Sequence, residues 1–258
     1  MCILLIIKEL TNRIYIMIYL TDNIYIKDDL FYYKKGNKVI KITDSNWHLY
    51  LSDYGWSKIH KKWIIQLNKL SDKKKKNSTF GCLDCGEGGN CLFNCISYSL
   101  TPYTEYSNLE ENIFILRTIL SDSIDEEIFS DIIEIYKISK INGEFEEDWD
   151  PHTITIDDFK EKIKQGGNDY WGDFLLISIL KKILRINIIV LYSNISKNEY
   201  YNYPLLHEYD KELNTIILSY EEDIHFRLVG YYNDQKMTVL FNNNNIPNEI
   251  LRLINVLR

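Results

Sequence analysis

The order of its periodicities constrains this chain more than any other feature. Between residues 91 and 184 apolar residues recur at helical spacing, and between 186 and 241 they recur at strand spacing. Stretches 91–100, 110–120, 126–138, 156–165 and 171–184 read as helices, the last mostly apolar and so buried. INIIVLYS, at 186–193, is a continuous β run of the kind covered on both faces. TIILSY (215–220), IHFRLVGYY (224–232) and MTVLF (237–241) are three further strands, and Pro247 opens a closing helix. Helices followed by strands define an α+β fold, with helices packed around a central, mostly antiparallel sheet.

A different texture precedes this block. Residues 14–42 alternate aromatic and β-branched side chains, and LFYYKK and KVIKI flank a Gly36-Asn37 hairpin turn. Residues 56–70 read as an amphipathic helix, and SDKKKKNST (71–79) as a solvated linker. The expected organisation is an N-terminal α/β appendage at 1–70, a lysine-rich linker at 71–79 and a main domain at 80–258. Lys8, Glu9, Asn12 and Arg13 interrupt the apolar start, leaving runs well below the ~20 residues that span a bilayer. That start also lacks the basic region and cleavage site of a secretion signal, so it reads as strand or buried helix, with Met17 as an alternative start. A reducing, cytoplasmic setting without disulfides is expected.

The net charge of −7 argues against nucleic acid as the default partner, since phosphate binding needs a basic surface. Alanine is absent while Ile, Asn, Lys and Tyr abound, which points to an AT-rich coding sequence.

Three of only 11 glycines crowd into GEGGNC, at Gly86, Gly88 and Gly89, just before Cys91 opens a helix. Glycines let main chain approach another group closely. A helix N-terminus carries partial positive charge and unpaired N–H groups. A cysteine there gains a stabilised thiolate, and the same N–H groups suit the oxyanion of a tetrahedral intermediate. Cys95, one turn on, reads as a small core residue. The four thiols Cys82, Cys85, Cys91 and Cys95 also admit a structural zinc reading, at a spacing tighter than usual.

A nucleophilic thiol needs a base close in space. Of five histidines, His48 and His60 stand beside aromatics and His152 and His207 in polar loops. His225 lies on the strand Ile224-His225-Phe226-Arg227-Leu228, where alternation sends Ile224, Phe226 and Leu228 to the core and His225 with Arg227 to the other face.

Gly89-Asn90-Cys91-Leu92-Phe93 at a helix start comes first in a set of three blocks. Tyr170-Trp171-Gly172-Asp173, leading a buried helix into Ile186-Asn187-Ile188-Ile189-Val190, is the second, and Ile224-His225-Phe226 the third. This ordered set resembles the ovarian-tumour (OTU) family of cysteine proteases, over residues 80–241. The resemblance implies a papain-like α+β fold and hydrolysis of (iso)peptide bonds after the Gly-Gly terminus of ubiquitin. It implies Cys91 as nucleophile, His225 as general base, and Gly88, Gly89 and Asn90 as the oxyanion loop. The implied partners are conjugates of ubiquitin or a ubiquitin-like protein, with no cofactor, metal, nucleic acid or membrane. The AT-rich composition would suit a virus-encoded member, acting in the host cytoplasm or carried in the virion.

The chain departs from the family in two places. The family usually shows Asp-Gly-Asn-Cys, where this chain has Gly88-Gly89-Asn90-Cys91, with Glu87 one place earlier. It often carries Asp or Asn two residues after the histidine, where this chain has Arg227, which accepts no hydrogen bond and is expected to disfavour an imidazolium. Asp223 and Glu87 are the candidates for the third catalytic member. The missing acid leaves open a ubiquitin-binding module that does not cleave. Trp171 is expected to serve as a core wedge.

Overall fold

The computed structural model describes residues 17–72, 78–86, 88–102, 106–145, 147–167, 170–196, 199–206, 208–221, 225–233 and 235–255. The apolar segment 1–16, the lysines 73–76, Glu87, His207, Asp223 and Ile224 lie outside them.

Strands β1 (Ile18–Tyr19), β2 (Ile24–Lys27), β3 (Leu30–Lys35) and β4 (Lys38–Lys41) form an antiparallel meander. Its β3–β4 turn falls at Gly36-Asn37 as expected, with Gly36 at φ 58°. Short helix α1 (Trp47–Tyr50), a 3₁₀ turn (Leu51–Tyr54), β5 (Trp56–Lys58), α2 (Lys61–Leu70) and β6 (Phe80–Leu83) come next. Five helices follow: α3 (Cys91–Leu100), α4 (Tyr106–Asp122), α5 (Glu126–Asn142), α6 (Ile156–Gln165) and α7 (Phe174–Leu184). Then come β7 (Ile186–Ser196), β8 (Glu199–Leu205), β9 (Asn214–Glu221), β10 (His225–Tyr232), β11 (Met237–Thr238), β12 (Leu240–Phe241) and α8 (Asn248–Asn255). The result is the expected α+β fold, with helices packed against a mixed, mostly antiparallel sheet.

The main sheet runs β5-β6-β10-β9-β7-β8, with β11 on β10 and β12 on β9. Among the described residues only β7 and β9 pair in parallel. The unbroken apolar run of β7 has a direct cause: Ile188 and Val190 enter the core beneath α3–α7, while Ile189 and Leu191 enter a second core with Trp63, Leu67, Ile250 and Leu253 of α2 and α8. Each such buried aliphatic side chain contributes about 1.5–3 kcal/mol over an exposed one. Among the described residues no helix is long and apolar enough to cross a membrane.

Three strands depart from the sequence reading. Residues 56–58, assigned there to a helix, pair with β6 as the sheet edge. β6 itself, FGCL, is short and carries Gly81, where any Cβ would lie 2.7 Å from the Trp47 ring. β8 is polar and includes Pro204, which suits an outermost strand. The meander is tied down by core residues Ile24, Phe31 and Ile42, and by Tyr232, whose hydroxyl donates to the Ile42 carbonyl at 2.8 Å.

Candidate active site

Cys91 is the first residue of α3 and only 3% exposed. Leu92, Phe93, Cys95 and Ile96 bury the helix against the sheet. One turn on, the Cys95 thiol donates to the Phe226 carbonyl at 3.6 Å, which holds α3 against the start of β10. Burial, with the neighbouring Cys85, pushes the Cys95 thiol well up, as befits a core residue.

His225 is the first residue of β10, and Phe226 and Leu228 point into the core while His225 and Arg227 face away, as strand alternation requires. The Cys91 side chain is the neighbour that acts most strongly on the His225 imidazole. The imidazole Nε2 lies 3.0 Å from Asp84 Oδ1, which leaves Nδ1 for the sulfur. Cys91 chiefly, then Asp84, raise the imidazole pKa to about 9 against the opposing effect of burial. Burial acts to raise the Asp84 carboxyl, but the Gly86 N–H, His225 and Arg227 outweigh it and hold it low. Thiol, imidazole and carboxylate thus stand in series.

Asp84 is a residue the sequence reading missed, and it changes the role of Arg227. β6 and β10 pair in register with Leu83 opposite Leu228, so the next step along brings Asp84 beside Arg227. Arg227 Nε lies 3.9 Å from Asp84 Oδ2. The cation therefore partners the carboxylate, and the expected loss of imidazolium is not seen: the His225 pKa goes up. Glu87 and Asp223 lie outside the described residues.

The loop before Cys91 explains its glycines. Gly86, Gly88 and Gly89 all have positive φ. At Gly89, with φ 76°, a Cβ would collide with the Gly167 carbonyl oxygen, and the Gly89 carbonyl accepts from Gly172 N at 3.3 Å. Asn90 turns its side chain inward, where Oδ1 accepts from Arg117 Nε at 2.9 Å and Nη2 at 2.7 Å. Arg117 is 2% exposed, and burial lowers its pKa to about 10. Arg117 shares the buried stripe of α4 with Leu116 and Leu120.

Two expectations change. Trp171 is 42% exposed, with its indole beside Gly89, rather than a core wedge. Nor do the four cysteines converge as a zinc staple would require. Cys82 faces the second core with Ser57, while Cys91 and Cys95 lie on the opposite side of the sheet.

A glycine-rich turn, a thiol at a helix start, an imidazole at the start of β10 and a carboxylate just past the end of β6 are laid out as a cysteine hydrolase would need them. Residues 87–226 match the sequence model of the family described as OTU-like cysteine protease; this is more than half of the chain, which belongs to that family. Solved structures similar to it include an OTU deubiquitinase from Wolbachia pipientis wMel bound to ubiquitin, at 15% identity, covering 64% of this chain and 98% of that one, TM-score 0.41. The viral OTU domain protease from Farallon virus is 16% identical, covering 60% and 86%, TM-score 0.40. The Hazara virus OTU bound to ubiquitin is 11% identical, covering 60% and 85%, TM-score 0.39. No curated protein matches the sequence.

Proposed function

We propose that this chain is a thiol-dependent deubiquitinase, cutting (iso)peptide bonds after the C-terminal Gly-Gly of ubiquitin or a ubiquitin-like protein. The observation that carries the reading is the Cys91–His225–Asp84 series. Cys91 gives its proton to His225 and attacks the terminal glycine carbonyl as thiolate. Main-chain N–H groups at the start of α3 and in the Gly88–Asn90 loop receive the oxyanion. The His225 imidazolium then protonates the departing lysine amine. The neutral imidazole next takes a proton from water, which hydrolyses the thioester and frees the modifier. Asp84 orients the ring and favours its charged form, and Arg227 holds Asp84.

A Gly-Gly tail carries no side chain to keep its carbonyl from the main chain of the glycine loop. The half-exposed Trp171 indole beside Gly89 offers such a tail a flat wall. The absent acid was the feature that favoured a binding-only domain, and Asp84 supplies an acid.

The test is reaction with ubiquitin bearing an electrophile at its C-terminus. The wild type is expected to form one covalent adduct, and Cys91→Ala and His225→Ala none. Labelling that persists in Cys91→Ala removes Cys91 from the role; a folded wild type that never labels removes the enzyme reading.

A further inference from the structure

Arg117 lies in the middle of α4, on the stripe that carries Leu116 and Leu120 into the core. A guanidinium there gives up its hydration, and an aliphatic residue would fill the stripe without that cost. Its partners are specific. Besides its two bonds to Asn90 Oδ1, it donates through Nη1 to the Ile163 carbonyl at 2.9 Å, and through Nη2 to the carbonyls of Gly89 at 3.1 Å and Tyr170 at 3.2 Å. Its carbon end lies 4.0 Å from the centroid of the Phe93 ring. All of these hydrogen-bond acceptors are neutral oxygens. Two of the four residues that accept, Gly89 and Asn90, immediately precede Cys91.

Each of those two contacts bears on the main-chain donors of the site. In a trans peptide the carbonyl and the following N–H point in opposite directions. Holding the Gly89 carbonyl toward Arg117 therefore turns the Asn90 N–H away from it. The second contact is more telling. Asn90 occupies the N-cap position of α3, where an asparagine side chain normally accepts from the first-turn N–H groups. Here it makes no such bond, because its oxygen is drawn to Arg117 and to Gly167 N at 3.3 Å. The first-turn amides of the helix that carries Cys91 stay unclaimed by their own cap.

We propose that Arg117 is a positioning residue for the hydrolysis: it takes the Asn90 cap off α3 and fixes the Gly89 carbonyl, so that main-chain N–H groups are left for the oxyanion. This rests on the deubiquitinase reading above. Gly166 completes the device. It sits at φ 69°, and a Cβ there would come within 2.6 Å of Arg117 Nε, so the slot for the guanidinium needs glycine.

The experiment compares wild type, Arg117→Lys and Gly166→Ala on ubiquitin carrying a fluorogenic amide, alongside the rate at which iodoacetamide alkylates Cys91. Alkylation needs the thiolate and no oxyanion site, so it separates the two roles. Arg117→Lys keeps the charge and loses the fork. It is expected to lower kcat about 100-fold, the scale for losing an oxyanion donor, with KM and alkylation each within about threefold of wild type. Gly166→Ala, which displaces the guanidinium without removing it, is expected to lower kcat in the same direction, and it decides the question if Arg117→Lys does not fold. Wild-type kcat in either folded variant overturns the proposal. So does an equal fall in kcat and alkylation, since that places the effect on the thiol. A wild type that never turns over ubiquitin overturns the deubiquitinase reading and this inference with it, whereas an active wild type with active variants overturns this inference alone.

Discussion

Asp84 Oδ1 meets His225 Nε2 at 3.0 Å across 141 positions of sequence. Antiparallel pairing of β6 with β10 brings the two ends together, and Asp84 follows directly on the last paired residue, Leu83. The carboxylate thus reaches the imidazole from the strand that leads into the nucleophile loop. Arg227 stands where relatives of this family often place the acid, and it braces the acid instead.

This geometry sets a pH dependence. His225 is held up to about 9, first by Cys91 and then, against burial, by Asp84. Below that value the ring is imidazolium, able to protonate a leaving amine; above it the proton is lost. The high-pH limb of kcat/KM is therefore expected near pH 9. Asp84→Asn removes a charge that raises the ring pKa, so the limb moves to lower pH, with a loss of order 10–100-fold at pH 8. A limb that stays near 9 in Asp84→Asn would show that the carboxylate does not tune the ring.

The same shift bears on stability, with a definite sign. A histidine whose folded pKa exceeds its unfolded value of 6.5 stabilises the fold fully below 6.5 and loses that contribution as pH rises through about 9. Thermal melts of the wild type are expected to fall across that window. Cys91→Ser removes the largest cause of the shift. It should flatten the dependence and lower the His225 pKa, read by NMR titration of the ring.

The glycines of the loop separate two kinds of constraint. Gly88 has φ 79° with open space around its missing Cβ, so Gly88→Ala faces only the left-handed backbone cost of about 1–2 kcal/mol. Gly89 has φ 76° and also lies against the Gly167 main chain, which cannot withdraw as a side chain would. Gly89→Ala is expected to cost clearly more stability in denaturant unfolding and to abolish probe labelling. Equal costs at the two positions would show that the Gly89–Gly167 approach is not a constraint.

What was legible in the sequence was local. The alternation that sends Phe226 and Leu228 inward also turns His225 outward, and the glycine run announces the tight turn into Cys91 without any tertiary knowledge. Asp84 was hidden because its role depends on which strand β6 pairs with, and four residues with a glycine among them carry no readable period. Arg117 was hidden for a different reason. A charge on a helix is read as solvent-facing, and only the fold reveals that Gly89, Ile163 and Tyr170 converge to offer it carbonyls. β5 was lost inside a longer helical pattern, since three residues cannot outweigh the amphipathic stretch after them.

That last misreading bears on the segment before the lysines. Trp56 of β5 is buried beneath Gly230, and Trp63 and Leu67 of α2 lie in the second core with Ile250 and Leu253 of α8. The Trp63 indole N–H also donates to Ser193 Oγ of β7 at 2.8 Å, so one side chain joins α2 to a strand on the far side of the sheet from β5. Trp63→Ala is expected to cost about 3–5 kcal/mol, the range for emptying a large aromatic site in a core. Trp63→Phe keeps most of the volume and leaves the Ser193 hydroxyl one partner short, so it should cost less, about 1–3 kcal/mol. Trp63 lies in the second core and Cys91 in the first, so the folded fraction of each variant should still label with the ubiquitin probe at the wild-type rate. A Trp63→Ala protein as stable as wild type in urea would show that residues before the linker are dispensable to the fold, and that the second core closes without α2.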